Sequence, residues 1–101
     1  IEEPLRQLVL NNLRKHTNRL FIGSAGIETI MLASNEIQFV FHGRVTPWDH
    51  SPLDLITKEA GGCVYMANDK TEFNAFSEGP IIAASNYKIW KFIRDLAFKK
   101  N

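Results

Sequence analysis

The residue in this chain with the most chemical potential is Asp49, set in Pro47-Trp48-Asp49-His50-Ser51-Pro52-Leu53-Asp54-Leu55-Ile56-Thr57-Lys58-Glu59-Ala60-Gly61-Gly62. The pattern predicts a proline-primed helix over Trp48–Ala60 that carries a carboxylate in its first turn and stops at a double glycine. On a 3.6-residue period Asp49, Leu53, Ile56 and Ala60 share one face, which aims the carboxylate inward along the apolar stripe. A buried unpaired charge is costly, so the position needs a partner. One partner is the helix itself, whose first-turn N–H groups and dipole favour a carboxylate by about 0.5–2 kcal/mol. The other is a hard cation such as Mg²⁺, which takes carboxylate oxygens readily. The residues alone leave both readings open.

Other candidates offer less. Gly23-Ser24-Ala25-Gly26 falls between a strand-like and a helix-like segment, where N–H groups can cradle an anion or a polyol hydroxyl, although a tight turn explains it equally well. His42 lies on the Gln38/Val40 side of its strand, near the loop that leads to Trp48; it is placed to touch a ligand or to serve as a hydrogen-bonded structural histidine. His50 has no Cys or His at zinc-ligand spacing, which excludes a zinc site. Cys63, between Gly62 and Val64, reads as a small buried hydrophobe.

The elements that must position these residues alternate in type. Leu5, Leu8, Val9 and Leu13 have helical spacing after Pro4, and that helix ends at Lys15-His16-Thr17-Asn18. Leu20-Phe21-Ile22 is a short strand candidate. A helix capped by Ser24 follows, with Ile27, Ile30, Met31 and Ser34 as its stripe and Asn35 at its end. Ile37, Phe39 and Phe41 alternate with Gln38, Val40 and His42, as in a half-buried strand. Beyond the Trp48–Ala60 helix come a strand near Cys63-Val64-Tyr65 and a polar loop over 68–79. Pro80-Ile81-Ile82-Ala83-Ala84 is then a compact apolar run of the kind found in central strands, and Asn86 opens a last helix with Ile89, Ile93, Leu96 and Ala97 inward. The alternation predicts an α/β layered sandwich, a small mixed sheet flanked by helices.

Composition bounds the function. The chain has 101 residues, 45% hydrophobic and 23% charged, with a formal net charge of +1, ordinary values for a globular domain. Mixed charge of that size gives no electrostatic case for nucleic acid or an anionic membrane. No apolar run approaches the roughly 20 residues that span a bilayer, and no signal-peptide pattern is present. The single cysteine fits a reducing, cytoplasmic setting. The opening Ile1-Glu2-Glu3 suggests part of a longer protein.

From Gly23 to about Ala97 the chain resembles the C-terminal half of the inositol monophosphatase family, Mg²⁺-dependent, Li⁺-sensitive sugar-phosphate phosphatases. The residues that carry the resemblance are Gly23-Ser24-Ala25, the helix after them, Trp48-Asp49, Glu59-Ala60-Gly61-Gly62 and Ile81-Ile82-Ala83-Ala84-Ser85-Asn86. Pro47-Trp48-Asp49-His50 with Ser51-Pro52 is most similar to the bacterial branch. The resemblance implies that Asp49 binds a catalytic Mg²⁺ and that Gly23, Ser24 and Ala25 contact the polyol ring. It also places His42 where animal members have a glutamate that grips an inositol hydroxyl, which loosens the link to inositol. Leu20-Phe21-Ile22 replaces the usual arginine before the turn, and Leu53 stands where bacterial members often have glycine.

The family's other metal ligands, a glutamate and a DPIDGT motif, come from an N-terminal half that does not occur here. The resemblance therefore implies a single domain over 1–101 that needs that half as its partner. The complete enzyme would hydrolyse a sugar- or polyol-phosphate monoester as a homodimer, without nucleic acid or membrane. The chain alone would be inactive and hold no catalytic residue of its own. Histidinol phosphate, a nucleotide 3′-phosphate and fructose bisphosphate are alternative substrates. A non-catalytic binding or assembly module that kept the scaffold is the competing reading.

Overall fold

A computed structural model describes residues 3–17 and 25–100. The central strand is the one whose four residues, Ile-Ile-Ala-Ala, have no polar face. This strand, β3 (Ile81–Ala84), has all four side chains buried, as expected for a strand covered on both sides. It pairs antiparallel with β1 (Phe39–His42) on one edge and β2 (Cys63–Met66) on the other, giving the order β1-β3-β2. Four helices accompany the sheet among the described residues: α1 (Glu3–His16), α2 (Ala25–Ala33), α3 (Pro47–Glu59) and α4 (Tyr87–Ala97).

Register sorts the strand residues onto two faces. Val40, Ala83 and Val64 align across the sheet, as do His42, Ile81 and Met66. Most of these pack with Leu32 of α2 and Leu53 of α3 in one core. The intervening rows, Phe39-Ala84-Cys63 and Phe41-Ile82-Tyr65, pack with Leu13 of α1 and Trp90 and Ile93 of α4 in a second core. The layered α/β arrangement is as expected. Both observed pairings are antiparallel, however, where a mixed sheet was anticipated; the Leu20-Phe21-Ile22 strand candidate lies outside the described residues.

Local chemistry explains the element ends. Asn86 caps α4 by accepting the Ile89 N–H at 2.9 Å. Trp90 is fully buried and its Nε1–H donates to the Ile82 carbonyl at 2.8 Å, fastening α4 to β3. Asn12 of α1 donates to the carbonyls of Ala97 and Lys99 at 3.0 and 2.9 Å, so α1 closes the exposed C-terminus of α4. Asn35 ends α2 at φ 60, the left-handed conformation that asparagine tolerates. No described helix is long and apolar enough to cross a membrane.

Three sequence expectations need correction. The stripe of α2 is not Ile27, Ile30, Met31 and Ser34: Ile27 and Ile30 are 51% and 61% exposed, while Thr29 and Leu32 are buried. A short helix with apolar residues nearly all round carries no clear period. Thr29 can point inward because its hydroxyl donates to the Ala25 carbonyl at 2.7 Å. Helix α3 runs from Pro47 to Glu59, one residue earlier at each end than expected. Its buried face is His50, Leu53 and Thr57, so Asp49 is exposed and does not point into the core. Phe39 and Phe41 face the α4 side of a sheet covered on both faces, and Val40 is the most buried residue of β1.

Candidate functional site

The N-terminal turn of α3 is built by Thr46, which adopts an extended N-cap conformation at φ −129 and ψ 139, followed by Pro47 as the first helical residue. In an ordinary capping box the side chain three residues after the cap, here Asp49, would take the cap residue's backbone N–H. The structure arranges this differently. The Thr46 N–H donates to Nδ1 of His50 at 2.9 Å. The Thr46 hydroxyl donates to Oδ2 of Asp49 at 3.0 Å. His50 thus does the work expected of residue 49, and the Asp49 carboxylate lies at the surface with Oδ2 held by a neutral hydroxyl.

His50 does not stand alone. Its Nε2 is 2.7 Å from Nδ1 of His42, at the end of β1. The His42 Nε2 is in turn 2.7 Å from Oε2 of Glu28, in the first turn of α2. The two imidazoles meet edge to face, with ring centres 5.0 Å apart, and Phe73 covers the far side of His50 at 6.4 Å. Only 4% of His50 is exposed. Burial pushes the His50 imidazole below its ordinary value; the Thr46 carbonyl opposes that shift and His42 adds to it.

The protons of this line depend on the tautomer of His50. Its Nδ1 lies 2.9 Å from the Thr46 N–H and 3.0 Å from the Thr46 carbonyl, which also takes the His50 backbone N–H and has a second lone pair to offer. With Nδ1 accepting from Thr46, a neutral His50 carries its proton on Nε2 and donates to His42 Nδ1, and His42 donates from Nε2 to Glu28.

Of the site residues expected from the sequence, Ala25, His42 and Asp49 lie within the described residues. Gly23 and Ser24 lie outside the described residues. Ala25, half-buried, begins α2, three positions before Glu28. His42 and α3 do come together, but His42 meets His50 and not Asp49. Both His42 ring nitrogens are engaged internally, as a structural histidine would have them. Glu28 and Thr46 were not singled out from the sequence. The available signal was the spacing of four between Thr46 and His50, which places an acceptor over an N-cap.

A divalent cation fits this geometry only in part. Asp49 offers an exposed carboxylate with the right hardness. Yet no group of three or more His, Cys, Asp or Glu among the described residues is arranged to hold a metal ion. Cys63 packs against the second core, and burial pushes its thiol up, so it is no nucleophile at neutral pH.

Comparison with known proteins agrees with the fold. The family model described as the inositol monophosphatase family matches residues 2–99. A curated Thermotoga maritima protein named fructose-1,6-bisphosphatase/inositol-1-monophosphatase is 33% identical over 75 residues, 73% of this chain and 29% of that protein. A solved inositol monophosphatase from Zymomonas mobilis superposes with a TM-score of 0.83 at 18% identity, covering 95% of this chain and 38% of its own. Structures of SaIMPase-II bound to inositol monophosphate and to 2′-AMP superpose with TM-scores of 0.78 and 0.73, at 17% and 16% identity. They cover 96% and 95% of this chain and 37% of theirs. The chain thus spans about a third of the length of the relatives it matches.

Proposed function

The chain belongs to the inositol monophosphatase family, and on that basis we propose that it is the C-terminal part of a Mg²⁺-dependent phosphatase acting on a sugar- or polyol-phosphate monoester. The observation that carries this reading is the α3 entry: Asp49 is exposed and relieved of the capping bond by His50. A carboxylate so placed is available as one ligand of a hard cation. When bound, Mg²⁺ would neutralise phosphate charge and activate the attacking water. Asp49 would supply one carboxylate, and the N-terminal half of the protein would supply the rest. Gly23, Ser24 and Ala25 would contact the alcohol portion. His42 would line the same side by its bulk, since its nitrogens are taken.

Without a residue-42 carboxylate to select inositol, the substrate range is broad on this reading. The Thermotoga relative carries both a fructose bisphosphatase and an inositol monophosphatase in its name, and SaIMPase-II structures hold inositol monophosphate and 2′-AMP. A homodimer and a cytoplasmic setting belong to the same proposal. Exposed Ile30, Leu55 and Phe92 support further contact surfaces, and the single cysteine fits a reducing compartment.

The test is phosphate release by the complete protein from inositol 1-phosphate, fructose 1,6-bisphosphate, histidinol phosphate and adenosine 2′- and 3′-monophosphates. At least one should be hydrolysed with Mg²⁺ and none after chelation. The isolated 101-residue chain should release none. Metal-independent hydrolysis by the complete protein, or turnover by the isolated chain, contradicts the proposal.

A further inference from the structure

Thr57, in the last turn of α3, is 1% exposed, yet among the described residues its Oγ1 has no hydrogen-bond partner. A threonine on a helix has a ready acceptor in the carbonyl four residues back. Thr29 uses it, donating to Ala25 at 2.7 Å, and Thr17 does the same with Leu13 at 2.6 Å. Thr57 makes no such bond to Leu53. Its methyl faces Gly62, 2.7 Å from where a Cβ there would stand. A buried hydroxyl without a partner destabilises a folded chain, so this one calls for a partner that the chain itself does not supply.

Thr57 borders a cavity of about 70 Å³ whose wall also includes Leu32, Ala33, Asn35, Gly62 and Ser85. The cavity sits where the C-terminal ends of α2 and α3 meet the residue that follows β3. Apolar cavities stay dry, whereas a polar one with room for a water and two to four polar partners holds it. Here the partners come from three elements. Thr57 brings its free hydroxyl and Asn35 its side-chain amide. The Ser85 N–H is spent on the Gln38 carbonyl at 3.1 Å, which leaves the Ser85 hydroxyl for the cavity. We propose that this cavity is a site for ordered water, which pairs with the Thr57 hydroxyl and ties α3 to the end of α2 and to the β3–α4 junction. Water both donates and accepts, so it satisfies Thr57 Oγ1 whichever way the hydroxyl proton turns. The site stands at the opposite end of α3 from Asp49, and the inference is independent of the metal reading.

The experiment uses the complete protein, with water as the probe. A crystal structure that shows ordered solvent should place a water oxygen within hydrogen-bond distance of Thr57 Oγ1 and of Asn35 or Ser85. A Thr57 hydroxyl bonded to the Leu53 carbonyl, a side chain from elsewhere in the protein filling the cavity, or no water within reach of Oγ1 overturns the proposal. Hydrogen exchange of the last α3 amides, which reads local opening, then weighs the bond. Thr57→Val keeps the shape of the side chain and removes the hydroxyl, which leaves the water short of a partner. The opening constant should rise about fivefold, the effect of one lost hydrogen bond. Removing a hydroxyl that has no partner would instead relieve the helix. A rise of less than about twofold, or a fall, therefore overturns the proposal as well.

Discussion

At Thr46 a single backbone N–H has two acceptors within reach, and the outcome shapes the site. His50 takes it, so Asp49 receives only a hydroxyl. This competition was not legible in the sequence. Leu53 and Ile56 make an apolar face that includes Asp49 just as well as the true face includes His50 and Thr57. Periodicity cannot separate phases one residue apart when each contains a polar side chain that needs a partner. That partner, His42, is eight residues away and Glu28 fourteen further back, so only the folded chain reveals them. The buried His50 also predicts a pH dependence. Its folded pKa is lowered from the ordinary 6.5, so the unfolded chain binds the proton more tightly than the folded one. Stability should therefore fall as pH drops below about 6.5 and be fully present above it. His42, Asp49 and Glu28 also act on His50 through their charges. The check is thus a difference: thermal midpoints from pH 7.5 to 5 should fall more steeply in the wild type than in His50→Gln. Parallel curves would show that His50 contributes nothing to the slope.

The elements themselves were more legible, because local rules decide them. The Ile81-Ile82-Ala83-Ala84 run marks a central strand, Pro47 opens α3, and Asn86 caps α4 as its spacing predicts. Trp90 escaped notice because its partner, the Ile82 carbonyl, lies on a different element. The double glycine that ends α3 shows two distinct needs. Gly61 has φ +89, a conformation side chains adopt reluctantly, but open space surrounds it. At Gly62 a Cβ would come within 2.5 Å of the Ala84 carbonyl oxygen and 2.7 Å of the Thr57 methyl. Gly61→Ala should cost about 1–2 kcal/mol from backbone strain, and Gly61→Asn clearly less, since Asn35 already tolerates that region. Gly62→Ala should cost toward the upper end of about 1–3 kcal/mol for overpacking, with Gly62→Asn no better. Denaturant unfolding of the four variants checks this; equal response to Asn at both positions would contradict it.

On the scale of the molecule, a three-stranded sheet covered on both faces gives the chain its own two cores. The same architecture leaves Asp49, one metal-grade carboxylate, at the surface. The layered class followed from alternating elements. The burial of both faces was only half legible, since the alternation in β1 suggested a single core face and Val40 proved the most buried residue of that strand. Among the described residues no group of three or more His, Cys, Asp or Glu is arranged to hold a metal ion, and the chain covers about a third of its relatives' length. The central claim is that Asp49 serves a divalent cation in phosphate ester hydrolysis. Its most direct test is Mg²⁺-dependent phosphate release by the complete protein with Asp49 intact and with Asp49→Asn, at matched folded fraction. Loss of this ligand should lower turnover about a hundredfold or more, roughly 3 kcal/mol of barrier, and raise the Mg²⁺ concentration needed for half activity. An Asp49→Asn protein with unchanged turnover and unchanged Mg²⁺ requirement would contradict it.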